Sequence, residues 1–421
     1  MARFTAKYEI ESPIGIGRAA EVLAGEQSSG TFVRLAAETD ELRERSRARV
    51  ERVDVLNISE QPSLPTRRRG SQYERGIVTV SWPVATIGNS LPNLLATIAG
   101  NLFELAEISA IRLLDVDLPR EFVEACPGPK FGVTGTRRLA GVEEGLMVGT
   151  IIKPSVGFSP DDTAALVKQL AEADIDFIKD DELQANGPNC PLEDRAREVM
   201  RVLNDHQEKT GKKVMYAFNI TDEVEEMWRH AETIQSLGGS CLMVSLHSVG
   251  LAGMRALRDH CDLPLHGHRN GWGLYSRSPD IGISYVAWQK LWRLAGADHL
   301  HVNGLGNKFT ESDSVVAESA RAVQAPVCED GPTYAAMPVY SSGQTAWQIA
   351  PSRDILGSDD FIFCAGGGIM SHPSGPAAGV TALRQAAMAA REGINVEEFA
   401  KSHRELSEAL ERFEKPTLTK T

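Results

Sequence analysis

From residue 149 onward, short apolar runs alternate with amphipathic helical segments. The eight runs, each typical of a buried strand, are GTIIK (149–153), DFIKDD (176–181), VMYAFN (214–219), CLMVSL (241–246), LPLHGH (263–268), DHLHVN (298–303), MPVYSS (337–342) and FIFCAGGG (361–368). Helices are predicted between them, as at Asp161–Ala173, Asp222–Leu237 and Ala377–Arg391. Eight such units in about 270 residues have the size and rhythm of a (β/α)8 TIM barrel. A doubly wound sheet is the alternative, but it usually has a Gly-rich turn after its first strand, whereas the Gly-rich turn here follows the last.

The first 125 or so residues mix helix and strand without a regular repeat. The predicted strands are Phe4–Ile10, Thr31–Ala36, Arg49–Ile58 and Ile77–Trp82, and the predicted helices are Gly17–Ala24 and Leu91–Gly100. This order predicts an N-terminal α+β domain over residues 1–125, with an antiparallel, ferredoxin-like sheet. The segment CPGPKFG (126–132) is typical of a connector. The barrel, with the catalytic site and a short C-terminal extension, is therefore expected over residues 126–421.

Composition and charge narrow the class of protein. The net charge of −13 disfavours general binding to nucleic acid or to acidic membranes. Six cysteines are scattered without a C-x-x-C pair, which suggests neither a zinc knuckle nor a disulfide framework. The start, MARFTAKYEIESP, lacks an apolar signal core, and no window approaches the roughly 18 apolar residues of a membrane span. We expect a cytoplasmic protein that acts on a small molecule.

Polar residues or glycines end nearly every predicted barrel strand. In chain order they are Lys153; Lys179, Asp181 and Glu182; Asn219; His268 and Arg269; His301; Ser341, Ser342 and Gly343; and Gly366, Gly367 and Gly368. Any one of them has an ordinary structural explanation, since a histidine at a strand end is more often a hydrogen-bonded core residue than a ligand. The C-terminal ends of barrel strands, however, converge on one mouth, where barrel enzymes carry their chemistry. The repeated pattern therefore predicts an active site.

The stretch FIKDDE (177–182) places one lysine against three acids. Asp181 and Glu182 are hard oxygen ligands of the kind that Mg²⁺ prefers. Two carboxylates are few for tight binding, and an ammonium group at Lys179 would repel the ion. A carbamate formed on Lys179 by CO₂ would remove that repulsion and supply a third anionic oxygen. From the chemistry alone, a salt bridge between Lys179 and its acidic neighbours is the simpler interpretation.

Two candidate anion sites lie at opposite sides of the predicted mouth. The glycines at 366–368 lead into a helix, and the backbone N–H groups of such a turn cradle phosphate. Barrels commonly bind phosphate after strands seven and eight, where residues 341–343 also lie. Arg269 and His301, across the mouth, are suited to a second anionic group.

The loop NGLGNKFTES (303–312) follows the sixth predicted strand. It has glycines for a hinge and Lys308 near its tip, which is the build of a lid that closes a cation over the substrate. An ordinary mobile surface loop is the alternative.

Together these segments resemble the large subunit of ribulose-bisphosphate carboxylase. The segments that carry the resemblance are GTIIKPSVGFS, DFIKDDE, LHGHR, DHLHVNGLGNK, PVYSSG and GGGIMSHPSG. The match runs in order over essentially the whole chain. In the N-terminal domain, EQSSGTF (26–32) and GNLF (100–103) look like the segments that reach into a partner's active site. The resemblance therefore implies a homodimer or higher oligomer with an active site shared between subunits.

The resemblance also implies a role for each candidate residue. Lys179 as its carbamate, Asp181 and Glu182 would bind Mg²⁺. Lys153 would be the enolising acid or base, His268 a catalytic base, and Lys308 the lysine of the lid. The residues implied for one phosphate are Arg269 and His301, and those for the other are Thr31, Gly343, Gly366 and Gly367. Those implied to contact the reacting centre or Lys308 are Glu26, Asn101 and Ser341.

The departures from the carboxylases fall at positions that face the substrate. Ser155 stands where the carboxylases have the second lysine of K-P-K, and Phe32 stands where tryptophan is expected. Phe309 and Thr310 replace leucine and glutamate after the lid lysine. With the metal residues kept, this pattern resembles the carboxylase-like (form IV) branch. It implies a Mg²⁺-dependent enzyme that acts through an enediolate on a phosphorylated sugar or sugar acid.

Three reactions remain open, and the order of preference among them rests on two lysines. Because Lys153 and Lys308 are both kept, a reaction that handles a carboxylate is preferred: decarboxylation, or carboxyl transfer or hydrolysis, of a 3-oxo sugar-acid phosphate. The alternative is an enolase or isomerase acting on a phosphorylated keto-sugar, as in methionine salvage. Genuine ribulose-bisphosphate carboxylation is third. A non-enzymatic scaffold would predict loss of the metal residues, and these are present.

Overall fold

The computed structural model describes residues 2–29 and 35–419. The strands of these residues are β1 (Arg3–Ser12), β2 (Arg49–Ser59), β3 (Tyr73–Pro83), β4 (Ala110–Asp117), β5 (Met147–Ile151), β6 (Phe177–Lys179), β7 (Met215–Asn219), β8 (Cys241–Ser245), β9 (Leu265–His268), β10 (Ile281–Ile283), β11 (His299–Asn303), β12 (Met337–Tyr340) and β13 (Ile362–Cys364). Their α-helices are α1 (Ile16–Glu26), α2 (Asp40–Ser46), α3 (Leu91–Ala99), α4 (Arg120–Glu124), α5 (Gly132–Ala140), α6 (Pro160–Glu172), α7 (Leu192–Thr210), α8 (Val224–Ser236), α9 (Leu246–His260), α10 (Gly273–Ser276), α11 (Tyr285–Leu294), α12 (Asp313–Gln324), α13 (Ile349–Leu356), α14 (Gly367–Met370), α15 (Pro376–Glu392), α16 (Val396–Ala400) and α17 (Arg404–Arg412).

The chain divides into two units. Unit 1 comprises Met1–Cys126, Gly271–Leu294 and Pro326–Thr333, and unit 2 comprises Pro127–Asn270, Ala295–Ala325 and Tyr334–Thr421. Two segments of unit 1, at 271–294 and 326–333, therefore come from within the range that the sequence pattern assigned to the barrel domain.

Unit 1 is built on a sheet with the strand order β10-β4-β1-β3-β2. The pairs β1–β3, β1–β4 and β2–β3 are antiparallel, which is the ferredoxin-like arrangement expected from the sequence. Alternate residues of β1, from Phe4 to Ile10, are buried and form one packed face. On that face Phe4 stacks on Trp82, and the Tyr8 hydroxyl donates to the Ile98 carbonyl. One face of the sheet thus forms the core of this unit.

Two details of unit 1 differ from the expectation. The sheet is mixed rather than purely antiparallel, because β10 pairs in parallel with β4 although it lies far along the chain. Neither β4 nor β10 was recognised from the pattern. Strand β10 is only three residues long and is stabilised by its pairing with β4. Of the predicted strand at 31–36, residues 31–34 lie outside the described residues, and Leu35 and Ala36 are not in a strand.

Unit 2 contains a closed parallel barrel in the order β11-β12-β13-β5-β6-β7-β8-β9. All eight predicted barrel strands are confirmed, with ends that shift by a few residues, and so are the three helices predicted between them. Nearly every residue of these strands is buried, as expected for parallel strands covered on both faces. Among the described residues, no helix is long and apolar enough to cross a membrane.

Alternate residues of the barrel strands fill its interior. The core cluster consists of Ala140, Met147, Ile151, Phe177, Met215, Ala217, Cys241, Met243, Met337, Val339, Ile362 and Cys364. Continuing the two-residue alternation along each strand leads from Ile151 to Lys153, from Phe177 to Lys179, from Val339 to Ser341 and from Cys364 to Gly366. The period that packs the core therefore also directs candidate site residues into the mouth.

Candidate active site

The three acids after β6 face different surroundings. Asp180 is fully buried and is held away from the mouth by Arg195, whose Nη2 lies 3.1 Å from its Oδ2. The Tyr216 hydroxyl donates to Asp180 Oδ1 at 2.6 Å, and the Asn219 amide donates to Oδ2 at 2.9 Å. These contacts fully occupy Asp180 as a structural anchor. Of these three acids, Asp181 and Glu182 remain as carboxylates of the mouth.

The Asn219 side chain fixes the backbone of those two carboxylates. Its amide nitrogen donates to the carbonyl oxygens of Asp181 and Glu182 at 3.1 and 3.2 Å. From the sequence, Asn219 was recognisable only as a polar strand end, and no role was predicted for Asp180, Arg195 or this support. The one feature of the sequence that could have indicated this support was the polar residue at the end of β7.

Lys153 forms hydrogen bonds with Asp181, the first of the two carboxylates, and with Ser155. Its Nζ donates to Asp181 Oδ2 at 2.5 Å and to Ser155 Oγ at 2.8 Å. The Lys153 side chain is 39% exposed, whereas Asp181 is buried. Burial raises the pKa of Asp181, but hydrogen bonds from Lys153 and the Leu183 amide bring the pKa below its ordinary value. Asp181 is therefore ionised at neutral pH.

Lys179 lies at the bottom of the mouth, 1% exposed. Its Nζ donates to the Asp180 carbonyl at 2.9 Å and lies 3.6 Å from Met243 Sδ and 4.0 Å from Glu182 Oε2. Burial lowers the pKa of its ammonium group, although neighbouring acids act in the opposite direction. The amine is thus easier to deprotonate than an exposed lysine.

Glu182 links Lys179 to the histidines of the mouth. Its Oε2 lies 3.6 Å from His268 Nε2, and the His268 and His301 rings are 4.5 Å apart. Burial, and then the positive charge of Lys179, lowers the pKa of His268 to about 4. His268 is therefore neutral at pH 7 and able to accept a proton.

The glycine turns after β12 and β13 adjoin Lys308 and Lys153, respectively. A Cβ built on Gly366 would lie 3.9 Å from Lys153 Cε, and one on Gly343 would lie 3.8 Å from Lys308 Cβ. A Cβ on Gly367 would meet nothing within 4 Å, so this residue borders open space. Gly343 has a φ of +78°, a conformation that side chains rarely adopt. We call Gly343, Gly366 and Gly367 the glycine cradle.

Arg269 is engaged by a carboxylate that sequence analysis did not single out. Its Nη1 lies 3.3 Å from Glu311 Oε1, and its Nη2 contacts Glu311 Oε2. Asn303 Nδ2 also donates to Glu311 Oε2, at 2.9 Å. Glu311 lies in the predicted lid loop, three residues after Lys308, and the only available signal was an acid in a loop otherwise considered for its lysine.

The candidates outside the barrel lie in unit 1. Glu26 ends α1, and Asn101 begins a short 3₁₀ helix, Asn101–Glu104. The two segments are neighbours, since a Cβ on Gly100 would lie 3.0 Å from Gln27 Nε2. Thr31 and Phe32 lie outside the described residues.

Lysine, carboxylate and histidine side chains thus converge at the C-terminal mouth of a parallel eight-stranded barrel, which defines the class as a TIM-barrel enzyme. Family models narrow that class. The model for the ribulose bisphosphate carboxylase large chain, catalytic domain, matches residues 132–413, and that for its N-terminal domain matches residues 4–122. The chain belongs to the ribulose bisphosphate carboxylase large-chain family.

Relatives of known name place it near the carboxylase-like proteins. It is 53% identical, over 97% of its length and 98% of the relative's, to the 3-oxo-isoapionate-4-phosphate transcarboxylase/hydrolase of Xanthobacter autotrophicus. It is 40% identical, with the same two coverages, to the 3-oxo-isoapionate-4-phosphate decarboxylase of Rhizobium etli. The predictions of the family, of its carboxylase-like branch and of decarboxylase or carboxyl-transfer chemistry among its relatives are confirmed.

Solved structures agree. A rubisco-like protein from Burkholderia fungorum is 44% identical and superposes with a TM-score of 0.92, covering 98% of this chain and 100% of that chain. A dimeric archaeal Rubisco from Hyperthermus butylicus is 29% identical, with a TM-score of 0.84 and coverages of 98% and 96%.

Proposed function

We propose that this protein decarboxylates a 3-oxo sugar-acid phosphate, or transfers or hydrolyses its carboxyl group, with Mg²⁺ held by the Lys179 carbamate, Asp181 and Glu182. The observation that carries the proposal is the position of Lys153, whose ammonium group bridges Asp181 and Ser155 at the edge of the mouth. A metal-ligand carboxylate is thereby paired with a proton donor, while the neighbouring side chain is a neutral hydroxyl instead of a second cation. The names and identities of the relatives support the same reaction class.

The donor set fits Mg²⁺ once Lys179 carries a carbamate. Among the described residues, no group of three His, Cys, Asp or Glu side chains is arranged to hold a metal, so a third anionic ligand has to come from another group. The Lys179 ammonium would first lose one proton. The neutral amine would then attack the carbon of CO₂, form the N–C bond and release a second proton, so that an anion replaces a buried cation. The ion, when bound, would stabilise negative charge that develops on substrate oxygens.

The lysines and His268 would manage protons and the carboxylate. In decarboxylation of a 3-oxo acid, the bond from the carboxylate carbon breaks, CO₂ leaves, and the electron pair passes to the 3-oxo group to give an enediolate. Lys153 is placed to return a proton to that intermediate, since its Nζ lies at the exposed edge of the centre. His268 would accept a proton from a substrate hydroxyl. Lys308 would pair with the substrate carboxylate when the lid closes.

The glycine cradle would hold the phosphate, through backbone N–H groups and together with Thr31. Ser341 lies between the cradle and His301, whose Nδ1 it contacts at 2.9 Å. Ser341 would therefore contact the reacting end of the substrate. Arg269 and His301 would line the opposite end.

We also propose that the active unit is at least a homodimer, in which Glu26, Thr31 and Asn101 complete the mouth of a second copy. Support comes from the adjacency of the Glu26 and Asn101 segments and from the dimeric archaeal relative. Mixing Lys179→Met protomers with Glu26→Ala protomers tests this idea, because a mixed dimer would contain one site with neither substitution. Recovery of activity on mixing is expected. Activity that stays at the sum of the two variants, in dimers shown to exchange, would contradict the shared site.

The reaction itself is tested by turnover. The purified protein, supplied with Mg²⁺ and bicarbonate, is incubated with 3-oxo-isoapionate 4-phosphate, and loss of the substrate carboxyl group is followed by mass spectrometry and CO₂ release. We expect turnover there and no detectable fixation of labelled CO₂ on ribulose bisphosphate. The reverse result would overturn the proposal.

Lys308→Ala separates carboxyl chemistry from simple enolisation. Carboxyl loss should fall strongly in this variant, because the lid cation would contact the carboxylate. An enolase or isomerase acting on a phosphorylated keto-sugar would tolerate the change. The matched control is Lys168→Ala, which removes an exposed lysine on α6.

A further inference from the structure

We propose that Glu311 excludes phosphate from the Arg269–His301 side of the mouth, so that the enzyme accepts a monophosphorylated substrate and discriminates against bisphosphates. The inference rests on the proposed function for the identity of the mouth as the substrate site. It goes beyond that proposal in assigning a specificity-determining residue and in limiting the substrate to one phosphate group.

Arg269 is already bound in the way that a phosphate would bind it. Both terminal nitrogens of the guanidinium face the two carboxylate oxygens of Glu311, which is the two-pronged geometry that arginine uses for phosphate. The two side chains are each only 11% exposed. A phosphate would have to displace a partner that the same chain delivers from a neighbouring loop.

Asn303 reinforces this arrangement. The Asn303 Nδ2 donates to Glu311, and the Asn303 Oδ1 therefore points away from that carboxylate. Within the described part of the chain, that buried Oδ1 has no hydrogen-bond partner. Leaving a buried acceptor unpaired has a free-energy cost. The residue is thus oriented to serve Glu311, which indicates that the carboxylate belongs in this position.

Charge makes displacement unfavourable as well. The Arg269–Glu311 pair carries no net charge, so the pair itself offers no excess cation to attract a dianion. Even if the guanidinium were released, the Glu311 carboxylate would remain beside the incoming phosphate. Like charges brought together in a partly buried site cost several times the thermal energy.

His301, the other residue expected to bind a phosphate, has its nitrogens committed to a buried chain of histidines. Thr136 donates its hydroxyl to the Gly132 carbonyl, so it must accept from His299 Nε2, 2.8 Å away. His299 Nδ1 then accepts from His266 Nδ1 at 3.3 Å. His266 Nε2, in turn, accepts from His301 Nε2 at 2.7 Å. His301 Nδ1 is left as an acceptor, filled by the Ser341 hydroxyl at 2.9 Å.

This order of donors removes His301 as a phosphate ligand. Burial lowers the pKa of His266, His299 and His301, so all three are neutral at pH 7. A neutral imidazole whose N–H points into the barrel has no proton to donate to a phosphate oxygen. Of the two candidate anion sites of the mouth, the part of the glycine cradle that lies in the described residues is therefore the one left to bind a phosphate.

Binding decides the inference without a need for turnover. The Mg²⁺- and bicarbonate-loaded protein is titrated by calorimetry with ribulose 1-phosphate, ribulose 5-phosphate and ribulose 1,5-bisphosphate, which differ in the number and place of phosphates. For the natural sequence we expect the bisphosphate to bind no more than about threefold more tightly than the better monophosphate. A gain of about tenfold or more from the second phosphate would overturn the inference.

Glu311→Gln tests the assigned residue. Because the variant keeps the size of the side chain and removes its charge, the preference for the bisphosphate should rise by at least about tenfold, with monophosphate affinity little changed. Glu318→Gln, an exposed position on α12, is the matched control and should leave the preference as it was. An unchanged preference in a folded Glu311→Gln protein contradicts the role of Glu311; should that variant not fold, the comparison of ligands on the natural sequence still decides.

These results are separable from the proposed reaction. Discrimination against the bisphosphate without turnover of 3-oxo sugar-acid phosphates would sink the reaction and keep the inference. Turnover together with tight bisphosphate binding would do the opposite.

Discussion

At one side of the barrel mouth, the turns after β12 and β13 present glycine backbone that carries no charge. At the other side, the turn after β9 presents a guanidinium that is bound by a carboxylate of the same chain. A count of cations would rank the second side as the better phosphate site. The contacts reverse that ranking, because a cation that is already paired offers less to a ligand than the backbone N–H groups of a glycine turn do. What a pocket binds thus depends on which of its donors are still available.

The largest effect is expected at Lys179, in the proposed metal site. Lys179→Met, which keeps the length of the side chain, should abolish turnover because no carbamate can form. Loss of a ligand should exceed the roughly 10–100-fold that loss of an outer-shell partner causes. Inorganic phosphate should still bind the cradle within about threefold of the natural affinity.

A carbamate signal gives an independent readout. With ¹³C-labelled bicarbonate and Mg²⁺, the natural protein should show a carbamate resonance that Lys179→Met lacks and Lys168→Met keeps. Full turnover in Lys179→Met would remove the basis of the metal site.

The next effect is expected in the cradle. Gly367→Asp would place a carboxylate in open space beside the proposed phosphate, and monophosphate affinity should fall by about 100-fold through like-charge repulsion. Gly367→Asn has nearly the same shape without the charge and should cost only a few-fold. Equal losses in the two variants would indicate a steric effect and not a phosphate at this position.

Acid should lower the free energy of unfolding through the buried histidines of the barrel. His266, His299 and His301 have lowered pKa values, and that of His299 is about 3. Below about pH 6.5 the unfolded chain takes up protons that the folded chain refuses, so the free energy of unfolding should fall as pH falls. The stabilisation from holding these histidines neutral is fully present above pH 6.5. Below that pH, the free energy of unfolding falls by about 1.4 kcal/mol per pH unit for each histidine.

Denaturant unfolding at pH 7, 6 and 5 measures this slope. His299→Gln should reduce the slope of the free energy of unfolding against pH by the equivalent of about one proton relative to the natural sequence. A slope equal to that of the natural sequence would mean that His299 is not held neutral.

The smallest effect is expected where the account assigns no phosphate. Replacing Arg269 and Glu311 together by glutamine removes a neutral pair, and monophosphate affinity should change by less than about threefold. Arg269→Gln alone should weaken binding more, since it leaves the Glu311 carboxylate unpaired in the mouth. A large loss in the double variant would show that Arg269 binds the phosphate after all.

Much of the fold followed from local patterns. Strand and helix periods identified all eight barrel strands, and the same alternation directs Lys153, Lys179 and Ser341 into one mouth. The short strand β10 was missed because three residues carry too little periodicity, and it is ordered by pairing with β4, which lies far away in the chain.

The limits in the site have the same cause. Residue type and position at a strand end predicted the lysines, carboxylates and histidines of the mouth, but they did not show which charged side chains form pairs with each other. Asp180 sits between two candidate ligands in sequence and yet faces Arg195. Glu311 meets Arg269 across 42 residues of chain. Which charges remain available to a ligand is decided by such long-range pairs, and a strand pattern contains no information about them.

The asymmetry of the mouth can be tested with a crystal structure that contains bound phosphate. The protein would be crystallised with Mg²⁺ and bicarbonate, and the crystals would be soaked in saturating inorganic phosphate. We expect one phosphate per barrel, bound by the backbone of Gly343, Gly366 and Gly367, with Arg269 still paired to Glu311. A phosphate on Arg269, with Glu311 turned away, would contradict the account.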